Sequence, residues 1–134
     1  RAAIFKEDKI LLVQEKNGTW SLPGGWCDVN VSVMENTIKE VKEEAELDVV
    51  VKNVIAIQDR EKHNQPIYAY KVCKIFMLCE VEGGVFKENS ETIGFDYFTK
   101  DKLSLLATKK NNEEQIQMCF DAYKASNHWK IYFD

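Results

Sequence analysis

Hydrophobic and polar positions change period several times along the chain, and each change marks an element. Ala2-Ala3-Ile4-Phe5 and Ile10-Leu11-Leu12-Val13 are short apolar runs on either side of Lys6-Glu7-Asp8. That arrangement predicts a hairpin of strands over Arg1–Phe5 and Lys9–Gln14. Asn17-Gly18 predicts a second turn, leading into Thr19-Trp20-Ser21-Leu22 and a Pro23-Gly24-Gly25 corner. The period then lengthens: Met34, Ile38, Val41 and Ala45 recur at helical spacing and form a predicted buried stripe. Ser32 and Glu35 make an S-x-x-E capping box, which places the helix start at about Val33.

Val49–Gln58 and Ile67–Glu80 are rich in β-branched and aromatic residues and read as strands. Glu82-Gly83-Gly84 reads as a turn, Thr92–Phe98 as a short strand and Asp101–Leu106 as a helical turn. Asn112–Ala125 reads as a full helix with Ile116, Cys119, Phe120 and Tyr123 inward. Helices and strands mix without strict alternation, so the predicted class is α+β, a mixed sheet with helices packed on its faces. The 134 residues form one domain, 1–134, large enough for a real core.

Composition adds exclusions. Lys and Arg number 18 and Asp and Glu 22, a net charge of 18 − 22 = −4, with the two signs interspersed. That disfavours nucleic acid as a partner, because such binding is driven by phosphate neutralisation. No apolar run approaches the ~20 residues of a membrane helix. A signal peptide is not expected either. Cys27, Cys73, Cys79 and Cys119 show no C-x-x-C spacing, and Cys73 and Cys79 share strand parity. Buried free thiols in a reducing, cytoplasmic setting are therefore expected. The opening Arg1-Ala2-Ala3-Ile4-Phe5 lacks Met and begins inside a strand, as a domain lacking an N-terminal segment of a longer protein would.

The candidate chemistry lies on the first helix. Glu40, Glu43 and Glu44 sit off the apolar stripe, fifteen or more residues after the Gly24-Gly25 corner. Like charges three and four residues apart repel by about 0.2–0.5 kcal/mol per pair even when exposed. A cation would reverse that cost, and a glycine turn beside clustered acids suggests a site for divalent metal and phosphate.

The run Gly25, Val31, Lys39, Glu40, Val41, Glu43, Glu44, Glu46 and Leu47, preceded by Leu22-Pro23-Gly24-Gly25-Trp26, resembles the signature of the Nudix hydrolases. That signature is Gly, five residues, Glu, seven residues, then Arg-Glu-apolar-x-Glu-Glu-x-Gly-apolar. The resemblance implies an α/β/α sandwich with a loop-helix-loop site and Mg²⁺ (or Mn²⁺) held by Glu40, Glu43, Glu44 and the Gly25 carbonyl. It also implies a further catalytic acid from a late loop, for which Glu91 is the candidate, and a small-molecule nucleotide substrate. Trp26 and Lys39 are the candidate substrate contacts, and the identity of the general base stays open among the acids. Many relatives dimerise, so a homodimer is compatible with the resemblance. Three positions depart from the signature: Val31 replaces the first Glu, Lys39 the Arg and Glu46 the last Gly. Lys39 thus lacks its usual acid, and Glu46 must take a left-handed backbone that a side chain adopts at a cost of ~1–2 kcal/mol. Asn30 stands where many relatives have Gly.

The broader pattern is similar to ADP-ribose pyrophosphatase-like proteins, with CDP-choline pyrophosphatases as a second branch. The implied reaction is metal-dependent hydrolysis of a nucleoside diphosphate linked to another moiety. The alternative is a degenerate domain that binds a nucleotide as a sensor without turnover. Trp20 is expected to pack, His63 to lie at the surface of a polar loop.

Overall fold

The computed structural model describes residues 1–134 throughout. Strands β1 (Ala2–Lys6) and β2 (Lys9–Glu15) form the first hairpin, with Glu7 and Asp8 both at positive φ (51° and 61°). Two left-handed central residues give the turn whose twist matches that of paired strands. A short β3 (Trp20–Ser21) follows, then helix α1 (Val33–Ala45), β4 (Leu47–Asp59), β5 (Cys73–Gly84), β6 (Thr92–Phe98), helix α2 (Glu113–Ala125) and β7 (Tyr132–Phe133). The sheet is mixed and has seven strands in the order β3-β2-β1-β5-β4-β7, with β6 also pairing with β2. β1 runs parallel to β5, whereas β1–β2, β2–β6 and β4–β5 are antiparallel.

Strand alternation splits the core into two layers, because successive side chains point to opposite faces. Ala2 and Ile4 of β1, Leu11 and Val13 of β2, and Met77 and Cys79 of β5 pack beneath α1, against Val41 and Ala45. Their neighbours Ala3, Ile10, Leu12 and Phe76 face the other way, onto Ile116, Cys119 and Phe120 of α2. The result is a mixed sheet with a helix on each face, as the pattern predicts, and the α/β/α sandwich that the resemblance implies.

Both helices start as the sequence predicts. Ser32 caps α1 and Asn112 caps α2, each in a reciprocal capping box with Glu35 or Gln115. At its other end α1 stops at Glu46, whose backbone is left-handed (φ 57°, ψ 21°). This is the geometry anticipated for that position. Asn30, by contrast, is not in a left-handed conformation, so no glycine-like freedom is needed there.

Four expectations need correction. Met34 is half exposed, at 51%; the buried side of α1 is instead Thr37, Val41 and Ala45, with Asn36 also buried. The stretch 67–72 is loop, and β5 begins only at Cys73. Its tyrosines are displaced from the sheet because Arg60 binds the Pro66 carbonyl at 2.6 Å and stacks on Tyr68. Glu82-Gly83-Gly84 does not turn; it ends β5, with Gly84 paired to Leu47. Only Lys100–Lys102 forms a helical turn, and Leu106 is drawn into a bridge with Trp20. β7, which no local pattern announced, is held parallel to β4 by Trp129 Nε1 on the Ile55 carbonyl (2.9 Å) and Asp134 Oδ1 on the Asp59 N–H (2.7 Å).

Candidate active site

The Pro-Gly-Gly corner is pinned from beneath. The Ala2 N–H donates to the Pro23 carbonyl at 2.8 Å, and Arg1 Nη1 donates to the carbonyls of Leu22 (3.0 Å) and Gly24 (2.8 Å). On its far side Asn36, a buried residue of α1, straps the descending chain. Its Nδ2 donates to the Trp26 carbonyl and its Oδ1 accepts from the Asp28 N–H, both at 3.1 Å. Loop and helix are thus held as one rigid unit. Gly25 lets the Glu40 carboxyl group lie against the corner: a Cβ there would stand 2.8 Å from it and push that side chain aside.

Two of the three helix acids turn toward that corner. Glu40 lies against Gly25, and Glu44 Oε2 accepts from the Gly24 N–H at 3.1 Å. Burial pushes the Glu44 carboxyl up to about 7; Glu40 adds to the rise, while the Gly24 N–H and Arg1 oppose it. The Glu40 pKa is raised too, by burial first and then by Glu43, with Glu91 contributing. Both acids line a cleft of about 680 Å³ together with Glu91 and Trp26. Glu44 and Glu91 also border a smaller cavity of about 310 Å³ beside Glu15 and Lys110.

Glu91 arrives there through a side-chain-built turn. Asn89 Oδ1 accepts from the N–H groups of Glu91 (2.9 Å) and Thr92 (3.0 Å). Asn89 Nδ2 and Thr92 Oγ1 then bond the Glu44 carbonyl at 3.1 and 2.6 Å. The loop before β6 is therefore docked onto the last turn of the acid-bearing helix, where free carbonyls need donors.

Glu43 and Lys39 behave differently. Lys39 Nζ lies 2.9 Å from Glu43 Oε1 and 3.1 Å from Asp28 Oδ2, and these carboxylates hold its ammonium pKa above the ordinary range. Neither Lys39 nor Glu43 lines the cleft. The acid that Val31 does not provide is supplied by Asp28, three residues earlier, so the lysine has a loop partner after all. The three helix acids do not converge on one point: no three His, Cys, Asp or Glu side chains stand close enough together to enclose an ion. Glu40 and Glu44, both turned to the glycine corner, are the two acids that could hold a hard cation. Their mutual repulsion and raised proton affinity beside a glycine carbonyl are what a dication relieves.

The rest of the cleft was not legible in the motif. Arg60, Tyr68 and Lys74 line it, as do Lys109 and Lys110. Trp26, 65% exposed, stands 6.0 Å from Tyr70, and Tyr70 stands 5.6 Å from Tyr68, so three rings cluster beside the glycine corner. Trp20 packs edge-on to Phe98 at 4.9 Å, as expected of a packing residue. His63 is partly buried, not free at the surface; its Nε2 meets Asp134 at 2.5 Å, away from the carboxylates of α1. All four cysteines are free; Cys79 and Cys119 are buried, but Cys27 and Cys73 are exposed, which corrects half of that expectation. No helix is long and apolar enough to cross a membrane.

A mixed sheet between two helices, with an acid-bearing helix docked behind a Gly-Gly corner, defines a class of α/β/α sandwich with a carboxylate-lined cleft. Within that class the chain belongs to the NUDIX domain family, whose model matches residues 1–119. It is similar to a protein of Bacillus subtilis (strain 168) named "Putative ADP-ribose pyrophosphatase YjhB", at 40% identity over 90% of this chain and 59% of that one. An ADP-ribose pyrophosphatase of Methanocaldococcus jannaschii is 31% identical over 78% of this chain and 62% of its own. The chain thus spans about three fifths of the length of these two curated relatives. Among solved structures, an ADP-ribose pyrophosphatase from Streptococcus suis 89-1591 superposes with a TM-score of 0.93 and 53% identity, over 100% of this chain and 96% of that one. A UDP-X diphosphatase superposes at 0.90 with 30% identity, over 100% of this chain and 64% of that one. The CDP-choline branch of the expectation receives no support from these relatives and is set aside.

Proposed function

We propose that this domain hydrolyses the diphosphate of a nucleoside diphosphate linked to a second moiety, of the ADP-ribose kind, with Mg²⁺ or Mn²⁺. The observation that carries the reading is the convergence of Glu40 and Glu44 on Gly24-Gly25, both with raised proton affinity, in a cleft that Glu91 shares. The named activity of the Streptococcus suis and Methanocaldococcus jannaschii proteins supports the substrate class. Glu40, Glu44 and the Gly25 carbonyl would hold the metal, which when bound neutralises diphosphate charge and activates water. Water oxygen adds to one phosphorus and the bridging P–O bond breaks, giving a nucleoside monophosphate and a phosphorylated second product. Glu91 is the further acid within the same cleft. Trp26 and Tyr70 offer aromatic faces to a nucleobase, and such stacking contributes roughly 1–3 kcal/mol per base. Lys39 with Asp28 holds α1 to the loop, and Glu43 completes that ion pair.

The test is to incubate the protein and Mg²⁺ with ADP-ribose, a UDP-linked sugar and nucleoside triphosphates, then separate the products. AMP and ribose 5-phosphate from ADP-ribose are the expected result. Turnover of triphosphates alone overturns the substrate class. One observation favours a second reading, a nucleotide sensor without turnover: Glu43 is engaged by Lys39 and no three acids enclose a point. Nucleotide binding with no product from any substrate, under Mg²⁺ and under Mn²⁺, would establish that reading.

A further inference from the structure

The cleft has a basic side as well as an acidic one, and its cations are not equally matched. Lys71 Nζ sits 3.1 Å from Asp59 Oδ2 and 2.8 Å from Glu61 Oε2, and Lys110 pairs with Glu15. Arg1 lies in the field of Glu44. Arg60 and Lys74, only 3% and 9% exposed, have no carboxylate partner. The Arg60 guanidinium bonds the carbonyls of Pro66 (2.6 Å), Lys109 (3.1 Å) and Gln65 (3.5 Å), and lies 3.5 Å from the Tyr68 ring centre. Those are neutral partners, so its charge is undiminished.

Lys74 Nζ donates to Asn64 Oδ1 at 3.3 Å and to the Lys110 carbonyl, which leaves its third N–H without a protein acceptor. Burial first, and then the charges of Arg1 and Arg60, lower its pKa to about 7. A buried cation without a counter-charge is among the costlier features a fold can carry. The Lys74 ammonium also stands 5.3 Å from the centre of the Phe76 ring, which carries no counter-charge. Asn64 Oδ1, moreover, already accepts from Gln115 Nε2 at 2.8 Å.

We propose that Lys74, reinforced by Arg60, forms an anion subsite that takes a phosphate oxyanion directly, without an intervening metal ion. The inference rests on the hydrolase reading of the cleft: the acids of α1 engage one phosphate through the cation, and Lys74 engages an oxyanion of the remainder. The same subsite retains the phosphomonoester released by cleavage.

The test measures binding of inorganic phosphate by calorimetry in excess EDTA at constant ionic strength, for wild type, Lys74→Met, Lys74→Gln and Lys71→Ala. Wild type should bind saturably. Both Lys74 variants should weaken binding tenfold or more while keeping a melting temperature at or above that of wild type. Lys71→Ala should stay within threefold, because its charge is already matched by two acids. ADP-ribose turnover under Mg²⁺, run on the same samples, should show a KM raised at least tenfold in the Lys74 variants. The proposal is overturned by absent phosphate binding in EDTA, by unchanged affinity in both Lys74 variants, or by an equal loss in Lys71→Ala, which would mean a diffuse field. Turnover by a wild type that binds no phosphate without Mg²⁺ sinks this subsite alone. Phosphate binding that depends on Lys74, without turnover of any substrate, sinks the hydrolase reading and leaves the subsite standing.

Discussion

The two helices share length and capping but not purpose. Each has 13 residues and a complete capping box, and each lays an apolar face on the sheet. Their partly or fully buried polar residues differ. On α2, Gln115 uses its whole amide: Nε2 donates to Gln58 Oε1 (2.9 Å) and Asn64 Oδ1 (2.8 Å), and Oε1 accepts from Asn64 Nδ2 (2.9 Å) and the Asn112 N–H (3.0 Å). Those amides carry no charge and are satisfied, the condition under which buried polarity stabilises a core. On α1, Glu40 and Glu44 are held where a carboxylate resists ionisation. One helix fixes the scaffold; the other stores an unfavourable charge arrangement that the proposed ion would relieve.

Replacing acids of α1 gives the largest expected effect. Glu44→Gln and Glu40→Gln should each lower ADP-ribose turnover at least 100-fold, about 2.7 kcal/mol of transition-state stabilisation. Glu43→Gln, on the Lys39 side, should lower it about tenfold or less, near 1.4 kcal/mol. Equal losses at all three would erase the distinction drawn between the cleft pair and the ion-paired acid.

Stability against pH sharpens the contrast. The folded metal-free protein keeps a proton on Glu44 up to about 7, whereas an unfolded chain releases it near the ordinary 4.5. The stability associated with that proton is fully present below 4.5 and is lost as pH rises through about 7. Up to about 3 kcal/mol is at stake, as an upper bound. Glu44→Gln should therefore melt at a higher temperature than wild type at pH 8 in EDTA, with the gap closing by pH 4.5. Mg²⁺ should raise the wild-type melting temperature more at pH 8 than at pH 5. Lys74 acts with the opposite sign: the unfolded chain holds a proton that the folded one releases above about 7, so stability recovers from there toward 10.5. Identical pH profiles for wild type and Glu44→Gln would refute the burial argument for α1.

On α2, Gln115→Leu should destabilise the domain by roughly 2 kcal/mol in urea unfolding, because Asn64 and Gln58 lose their buried partners. The kcat of the fraction that remains folded should change less than threefold. A smaller effect is expected at the end of α1. Glu46→Gly removes a left-handed side-chain penalty of ~1 kcal/mol and should raise the unfolding midpoint without altering turnover. Smallest of all, Val31→Glu combined with Lys39→Arg should change Mg²⁺-dependent activity less than twofold, since Asp28 and Glu43 already engage position 39. A large gain in a Mg²⁺ titration would show that this pair is a poor substitute.

Much of the scaffold was legible because its causes are local. The Ser32–Glu35 capping box, the hairpin at Glu7-Asp8 and the left-handed end of α1 follow from neighbouring residues. The loop over 67–72 reads as strand because its β-branched and aromatic content is right for one; the contacts of Arg60, bonded to Pro66 and lying over Tyr68, come from outside the segment and leave no trace in its pattern. Met34 fits the helical stripe by spacing, but the axis of α1 is rolled so that Thr37 and Asn36 are buried instead, the latter fastening the loop at Trp26. Asn89 and Arg1 gave no motif either, since each acts on a carbonyl 20 or more residues away.

What the sequence determined by itself was the family, the two-layer core and the identity of the acids, because periodicity, caps and spaced glycines act over a few residues. Which acids face the cleft and which is tied to Lys39 was decided by tertiary structure alone. So was the presence of two buried cations without counter-charge beside them. Charge pairing and desolvation depend on distances through space, and those exist only once the loops at Gly24, Pro66 and Asn89 have closed on the sheet.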